Sequence, residues 1–177
     1  MEIDGYAMKA YATIYEGEFG IERWILKAGF WGQIFRMFLI ENAFTIPMSI
    51  IFTIINIKNM DGFVNAPDFS ALPLFVTVVL IVFIIPVLET LVFQKIIIDG
   101  INRFRFIKNR WIAIIVSALI FSSLHYYSIW YVFLILPTGL IMAIMYDGLK
   151  RAGESPFLSI TIYHMISNAI AIMLERI

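Results

Sequence analysis

The chain has 177 residues and no net charge, with 13 Lys and Arg against 13 Asp and Glu. Hydrophobic residues make up 61% and charged residues 15%, whereas soluble domains have about 45–50% and about 25%. A soluble globule of this size cannot bury so much apolar surface. These values exclude a disordered chain, a nucleic-acid binder with a basic surface and most soluble enzymes, and the bilayer is the expected solvent. The absence of cysteine excludes disulfides and thiol catalysis.

Residues 1–36 are predicted to form a cytoplasmic or interfacial segment, and residues 37–177 a membrane-embedded helical domain. No apolar core of a signal peptide is visible near the N-terminus, so no cleavable signal is expected. Apolar residues recur at helical spacing from Ile21 to Ala28, with charged residues that include Glu22 on the opposite side. This pattern predicts an amphipathic helix in the membrane plane. A short buried helix of the soluble type is the alternative.

Five apolar stretches can be considered as membrane spans, although the third is short. They cover approximately residues 37–57, 71–98, 111–126, 129–146 and 156–174. The sequence therefore predicts an all-α, polytopic bundle of about five transmembrane helices plus the N-terminal interfacial helix.

The distribution of basic residues predicts the orientation of these spans. With five spans, eleven of the 13 Lys and Arg residues fall on the N-terminal side, because only Lys58 and Arg176 fall on the other. Cytoplasmic loops carry the excess of Lys and Arg. We therefore expect an integral, multi-pass protein with a cytoplasmic N-terminus, in the plasma membrane of a prokaryote.

A few ionisable and amide side chains interrupt the apolar spans. Glu89 lies in the second span, His125 in the third, and His164 and Asn168 in the fifth; the two histidines are the only ones in the chain. An ionisable group inside a membrane is costly and usually functional. At 1.5 Å per residue, Glu89 and His164 lie about 14 and 12 Å from the N-terminal side, and His125 about 21 Å. One carboxyl, two imidazoles and one amide could thus converge inside the bundle.

Two more residues in the predicted spans affect this interpretation. Pro86 precedes Glu89 by three residues, and proline kinks a helix, which could open a wet cavity beside the carboxyl. Glu41 lies near the N-terminal side of the first span. We expect its side chain to extend toward that side and to pair with Arg36 or Lys95.

Three sequence segments resemble the motifs of a known family. The segments are ETLVFQ at residues 89–94, FSSLH at 121–125 and HMISN at 164–168. In order and spacing they resemble E-E-x-x-x-R, F-x-x-x-H and H-x-x-x-N of the CPBP family of intramembrane proteases, also called the Abi or CAAX-protease family. The resemblance covers approximately residues 80–172, about half of the chain.

Two motif positions depart from the family pattern. Thr90 stands where the family has a second glutamate, and Gln94 stands where it has an arginine. The double change removes one negative and one positive charge, so no unpaired buried charge is left. It puts in doubt any role of that pair, such as anchoring a substrate carboxylate.

The resemblance implies that Glu89, His125 and His164 carry the chemistry of peptide hydrolysis. Glu89 would act as general base on a water, and His125 would orient that water or assist proton transfer. His164 and Asn168 could donate hydrogen bonds to the developing oxyanion. Phe121 is expected to pack in the core.

A zinc mechanism is the alternative to metal-free catalysis. Glu89, His125 and His164 would supply three ligands and leave one position for water. The sequence contains no HExxH motif, which favours glutamate-dependent hydrolysis without a cofactor.

The implied function is that of an intramembrane endopeptidase acting on a membrane-associated or lipidated peptide. A family member without catalysis, acting as a membrane interaction or bacteriocin-immunity protein, is the alternative that Thr90 and Gln94 favour. A small transporter is a third class, but it predicts an internal repeat, and none is visible. The expected partners are the lipid bilayer and the peptide, with no nucleic acid. A protein partner or a homo-oligomer could complete the short bundle.

Overall fold

The computed structural model describes residues 20–56, 72–104, 106–107 and 109–175. Within these ranges the chain forms six helices and no strand. They are α1 (Gly20–Leu26), α2 (Phe30–Asn56), α3 (Leu74–Asn102), α4 (Arg110–Leu124), α5 (Ile129–Arg151) and α6 (Pro156–Glu175). The all-α bundle is confirmed. The first 19 residues, together with Lys58 and Arg176, lie outside the described residues.

Four of these helices are long and apolar enough to cross a membrane, namely α2, α3, α5 and α6. The short third stretch corresponds to α4, an apolar helix of 15 residues. The first spanning helix begins at Phe30 rather than at Met37. The chain is therefore an integral membrane protein, and its predicted five spans correspond to four helices of full length and one shorter helix.

Helix α3 is not a regular α-helix. A short α-helical piece, Ile85–Glu89, lies between two π-helical segments, Val78–Ile84 and Thr90–Ile98. π-helical turns are rare and often mark functional sites. Pro86 lies in the α-helical piece, and its missing N–H interrupts the hydrogen-bond pattern of the helix. Glu89 is thus placed where one helical geometry changes into the other.

Helix α1 packs partly against the bundle. Glu22, Ile25 and Leu26 are buried, whereas Ile21 and Trp24 are exposed. The prediction that Glu22 belongs to the polar, solvent-facing side is wrong. Its burial is possible because an arginine from another helix neutralises it.

That arginine is Arg110, at the start of α4. Its Nη2 lies 2.7 Å from Oε1 of Glu22, and its Nε lies 2.9 Å from Oδ2 of Asp147 in α5. Arg151 Nε is also 2.9 Å from Asp147 Oδ2, and Asn102 donates to Oδ1 of the same carboxylate at 3.3 Å. This Arg110 cluster joins α1, α3, α4 and α5 through the ion pairs of Arg110 and Arg151 and the hydrogen bonds from Arg110 to Glu22 and from Asn102 to Asp147.

Helices α4 and α5 approach each other closely at Gly139. A Cβ atom at this position would lie 3.0 Å from Cδ1 of Phe121 and 3.2 Å from the carbonyl oxygen of Ala118. A side chain there would press on the backbone of α4. Glycine therefore sets the spacing between the helix that ends at His125 and its neighbour.

Candidate active site

The structure brings Glu89, His125 and His164 together from three helices. His125 Nε2 lies 3.5 Å from Glu89 Oε1, and His164 Nε2 lies 3.4 Å from Glu89 Oε2. Each carboxyl oxygen of Glu89 thus faces one imidazole. The expected meeting of the carboxyl and the two imidazoles is present, whereas the contact given for the Asn168 amide is with Ile81. The greater depth estimated for His125 does not separate it from Glu89.

The orientation of His125 follows from its place at the end of α4. It is the C-cap residue, and its Nδ1 lies 2.7 Å from the carbonyl oxygen of Phe121, one of the carbonyls left free at a helix end. Because a carbonyl only accepts, this bond requires a proton on Nδ1. Nε2 of the neutral ring is then an acceptor directed at Glu89.

Phe121 packs as expected. Its ring centroid lies 4.5 Å from that of His125, 5.9 Å from that of His164 and 5.4 Å from that of Phe93. The aromatic ring therefore limits the movement of both imidazoles.

The three groups differ in their exposure. The side chains of Glu89 and His125 are 19% and 21% exposed, whereas that of His164 is 5% exposed. Nδ1 of His164 is buried and has no hydrogen-bond partner among the described residues. A small molecule can therefore reach Glu89 and His125, and His164 lies behind them.

Asn168 links α6 to the irregular part of α3. The N–H of Ile85 bonds to the carbonyl of Leu80, a π-helical step of five residues. In that register the next donor would be Pro86, which has no N–H, so the carbonyl of Ile81 lacks its partner. Asn168 Nδ2 donates to this carbonyl at 2.9 Å. One N–H of the Asn168 amide is thus used to hold α6 against α3.

Thr90 and Gln94 are completely buried in α3. The Thr90 hydroxyl and both polar atoms of the Gln94 amide have no hydrogen-bond partner among the described residues. A charged side chain here would need a partner within the same buried space. Full burial is a physical reason for neutral residues at both positions.

Glu41 is a buried polar residue that sequence reasoning misplaced. Its Oε1 accepts from the Thr138 hydroxyl at 2.7 Å, and its Oε2 accepts from the Tyr163 hydroxyl at 2.6 Å and from Ser167 at 3.3 Å. These donors belong to α5 and α6. Hydroxyl side chains inside otherwise apolar spans were the only signal, and their partner is 97 to 126 residues away in the chain.

The cations expected near Glu41 have other contacts. Arg36 donates to the carbonyl of Trp24 and stacks on the Trp24 ring. Lys95 Nζ lies 5.5 Å from the ring centroid of Phe157. The prediction that Glu41 extends toward the N-terminal side and pairs with Arg36 or Lys95 is therefore wrong. Three hydroxyl donors satisfy the carboxyl inside the bundle instead.

The donor set gives no geometric support to a metal site. In the ranges that the structure describes, no group of three or more His, Cys, Asp or Glu side chains is arranged to hold a metal ion. Glu89 and the two histidines do not form such a set.

A separate apolar cavity of about 460 Å³ lies between α1, α2, α4 and α5. Trp111, Phe133 and Met145 are among its lining residues. None of Glu89, His125 and His164 contributes to it. The candidate active site is therefore defined by its side chains rather than by this cavity.

Together the helices and the carboxyl–histidine group define a polytopic membrane protein in which one carboxyl faces imidazoles from two other helices. The sequence model of a family described as "type II CAAX prenyl endopeptidase Rce1-like" matches residues 71–170, more than half of the chain. The chain belongs to this family of membrane proteases, which confirms the resemblance seen in the three motifs.

Among curated proteins, the chain is similar to UPF0177 protein YbdI of Lactococcus lactis subsp. lactis (strain IL1403). The two are 29% identical over 120 residues, which make up 64% of this chain and 61% of the relative. The match thus spans less than two thirds of either protein. No solved structure matches the chain.

Proposed function

We propose that this protein is an intramembrane endopeptidase that cleaves a membrane-associated or lipidated peptide by glutamate-activated water. The observation that carries the proposal is the placement of Glu89, with one carboxyl oxygen facing His125 Nε2 and the other facing His164 Nε2. A carboxyl flanked by two imidazoles can accept, hold and return a proton.

The first step of the proposed reaction is activation of water by Glu89 and His125. Because the Nδ1–H of His125 donates a hydrogen bond to the carbonyl oxygen of Phe121, Nε2 of His125 and Oε1 of Glu89 are two acceptors that lie 3.5 Å apart. A water beside this pair, within hydrogen-bond distance of both Glu89 Oε1 and His125 Nε2, satisfies both acceptors with its two hydrogens. As its oxygen attacks the peptide carbonyl, one proton passes to Glu89. The proton then goes to the amine that leaves when the C–N bond breaks.

The second requirement is a set of donors for the oxyanion. His164 Nε2 lies beside Glu89, and Asn168 keeps one amide N–H after bonding to Ile81. We assign both groups to the developing negative charge on the carbonyl oxygen. Donors fixed in a site of low exposure stabilise such charge strongly, and losing one typically costs about 10²–10³ in rate.

The decisive experiment compares wild-type protein with Glu89→Gln, His125→Ala and His164→Ala in membranes that contain a labelled proteome. New peptide N-termini are counted over time. Leu124→Ala is the matched control, because this neighbour of His125 is 69% exposed and has no assigned role. We expect new termini with wild type and the control, and none with the three site variants. Equal termini from wild type and folded Glu89→Gln would refute the proposal.

The same experiment tests the absence of a metal. We expect a chelator such as EDTA to leave the appearance of termini unchanged. Loss of the activity with EDTA and its return with Zn²⁺ would instead support a zinc site formed by Glu89, His125 and His164.

A catalytically inactive membrane-interaction or bacteriocin-immunity protein is the second candidate. Thr90 and Gln94 favour it, because these neutral residues replace the charged pair of the family motif and have no hydrogen-bond partner in the described part of the chain. If wild type yields no new termini, a crosslinking pull-down should then identify a stoichiometric membrane partner or a second copy of the chain.

We place the protein in the plasma membrane of a prokaryote with a cytoplasmic N-terminus. Because the chain contains no cysteine, a single introduced thiol reports its own location. We expect Ser155→Cys to react only from the cytoplasm and Tyr126→Cys, 69% exposed, only from the opposite side. The reverse pattern would overturn this orientation.

A further inference from the structure

Glu41 is a buried titratable group that the proposed reaction does not use. The residue is 9% exposed in a helix long enough to cross the membrane, and among the described residues its carboxyl accepts from the hydroxyls of Thr138, Tyr163 and Ser167. Burying a carboxyl is costly unless hydrogen bonds replace the lost water. The donors come from α5 and α6, so the group fixes both helices to α2.

The two donors from α6 have a specific relation to the proposed active site. Tyr163 and Ser167 are four residues apart, and so are His164 and Asn168, each one position further along the helix. Residues four apart lie on one face, and a step of one residue turns the helix by about 100°. The two pairs therefore form neighbouring faces of α6. One face bonds to Glu41, and the other contacts Glu89 and Ile81 of α3.

We propose that Glu41 is a positioning residue, which sets the rotation of α6 through Tyr163 and Ser167 and thereby directs His164 at Glu89. The inference rests on the proposed roles of Glu89 and His164. In this arrangement Glu41 touches no substrate. It acts only by holding the helix that carries one imidazole and the Asn168 amide.

The distances in the site show why the rotation of α6 has to be fixed. Side-chain atoms lie about 5–6 Å from a helix axis, so a rotation of about 20° moves them by about 2 Å. His164 Nε2 lies 3.4 Å from Oε2 of Glu89, and a shift of that size away from Glu89 would lengthen this contact to about 5 Å. A misplacement of about 1 Å in a catalytic site can lower the rate about 10²-fold.

Thr138 provides a matched control within the same group. It donates to Oε1 of Glu41 from α5, whereas Tyr163 and Ser167 donate to Oε2 from α6. Thr138→Val thus removes one hydrogen bond from the same carboxyl without removing a bond to α6. A general loss of stability would affect all these variants, but a loss of positioning affects only those that release α6.

The first measurement is the initial rate at which Glu89-dependent termini appear in membranes. We expect Tyr163→Phe and Glu41→Gln to lower this rate about 10- to 100-fold, at unchanged protein level and helical circular dichroism. Thr138→Val should stay within about 3-fold of wild type, since α6 keeps both of its bonds. A rate within 3-fold of wild type for folded Tyr163→Phe would overturn the inference, and so would an equal loss with Thr138→Val.

The second measurement does not depend on activity. Because the chain has two histidines, protein labelled with ¹⁵N-histidine in detergent micelles gives two imidazole spectra, which His125→Gln assigns. We expect Tyr163→Phe and Glu41→Gln to shift the His164 signals and Thr138→Val to leave them in place. Unchanged His164 signals in all three variants would overturn the positioning role. If wild type and Glu89→Gln form the same termini, the proposed protease function fails, and the histidine spectra alone decide whether Glu41 positions α6.

Discussion

Replacement of Arg110 by methionine removes the cation from a buried cluster of charges. Arg110 is 8% exposed, and its two carboxylate partners, Glu22 and Asp147, are 3% and 2% exposed. Methionine keeps an unbranched apolar side chain of similar length at this position. The variant therefore leaves the packing largely in place and tests the charge.

The expected cost follows from the remaining partners of each carboxylate. Asp147 keeps the Arg151 guanidinium at 2.9 Å and the Asn102 amide at 3.3 Å. Glu22 loses the cation that lies 2.7 Å from its Oε1. Breaking a buried ion pair on one side costs about 3–5 kcal/mol, and we assign most of this loss to Glu22. Arg110→Met should thus reduce the free energy of unfolding by about 3–5 kcal/mol.

The assay is reversible unfolding in mixed micelles by titration with SDS, followed by far-ultraviolet circular dichroism. Arg151→Met is the control. Its side chain is 52% exposed, so its loss should cost at most about 1 kcal/mol. The double variant Glu22→Leu with Arg110→Met removes both charges and should regain most of the lost stability.

Two results would contradict the reasoning about Arg110. One is a loss of less than about 1 kcal/mol for Arg110→Met, as for an exposed pair. The other is a double variant that is as unstable as Arg110→Met alone, because then the unpaired Glu22 charge is not the cause.

Three further predictions use the same unfolding titration. Gly139→Ala should destabilise by about 1–3 kcal/mol, because its Cβ would lie 3.2 Å from a backbone carbonyl oxygen of α4; unchanged stability would contradict this close contact. Thr90→Val and Gln94→Met should be neutral or stabilising by up to about 3 kcal/mol, because they remove buried polar atoms that have no hydrogen-bond partner within the described ranges; a loss of stability would show that these atoms are satisfied. Ser117→Ala should cost about 1–3 kcal/mol, because the Ser117 hydroxyl donates to the buried carbonyl of Phe93 at 2.8 Å, whereas Ser117→Thr keeps the donor and should cost less.

The spans were predictable because apolar length alone identifies a membrane helix. The hydropathy of the sequence could not show that α2 begins at Phe30, since the residues before Met37 mix charged and apolar types. It also could not show the burial of Glu22. That burial depends on Arg110, 88 residues further along the chain.

The meeting of Glu89, His125 and His164 was expected because ionisable groups in membranes rarely face lipid. The contact between Asn168 and the carbonyl of Ile81 was not expected. It arises from a π-helical register next to Pro86, and no spacing rule in a single sequence reports that register.

Glu41 shows most clearly where sequence reasoning fails. From its position near the end of an apolar stretch, extension toward water was the simple expectation. Three hydroxyls on two other helices replace the water that the Glu41 carboxyl would otherwise need. None of these hydroxyls stands out in the sequence. Only the packing of α2 against α5 and α6 makes them one group.

The length of α4 has a consequence for the surrounding lipid. Fifteen residues extend about 22 Å, which is less than the hydrocarbon thickness of about 30 Å in a typical bilayer. Where α4 faces lipid, through exposed residues such as Ile112, Ile115 and Leu119, the acyl chains must shorten or tilt to avoid hydrophobic mismatch. We therefore expect a thinner bilayer beside the helix that ends at His125, and a shorter path for water to that imidazole. Lipids of different acyl-chain length would test this expectation.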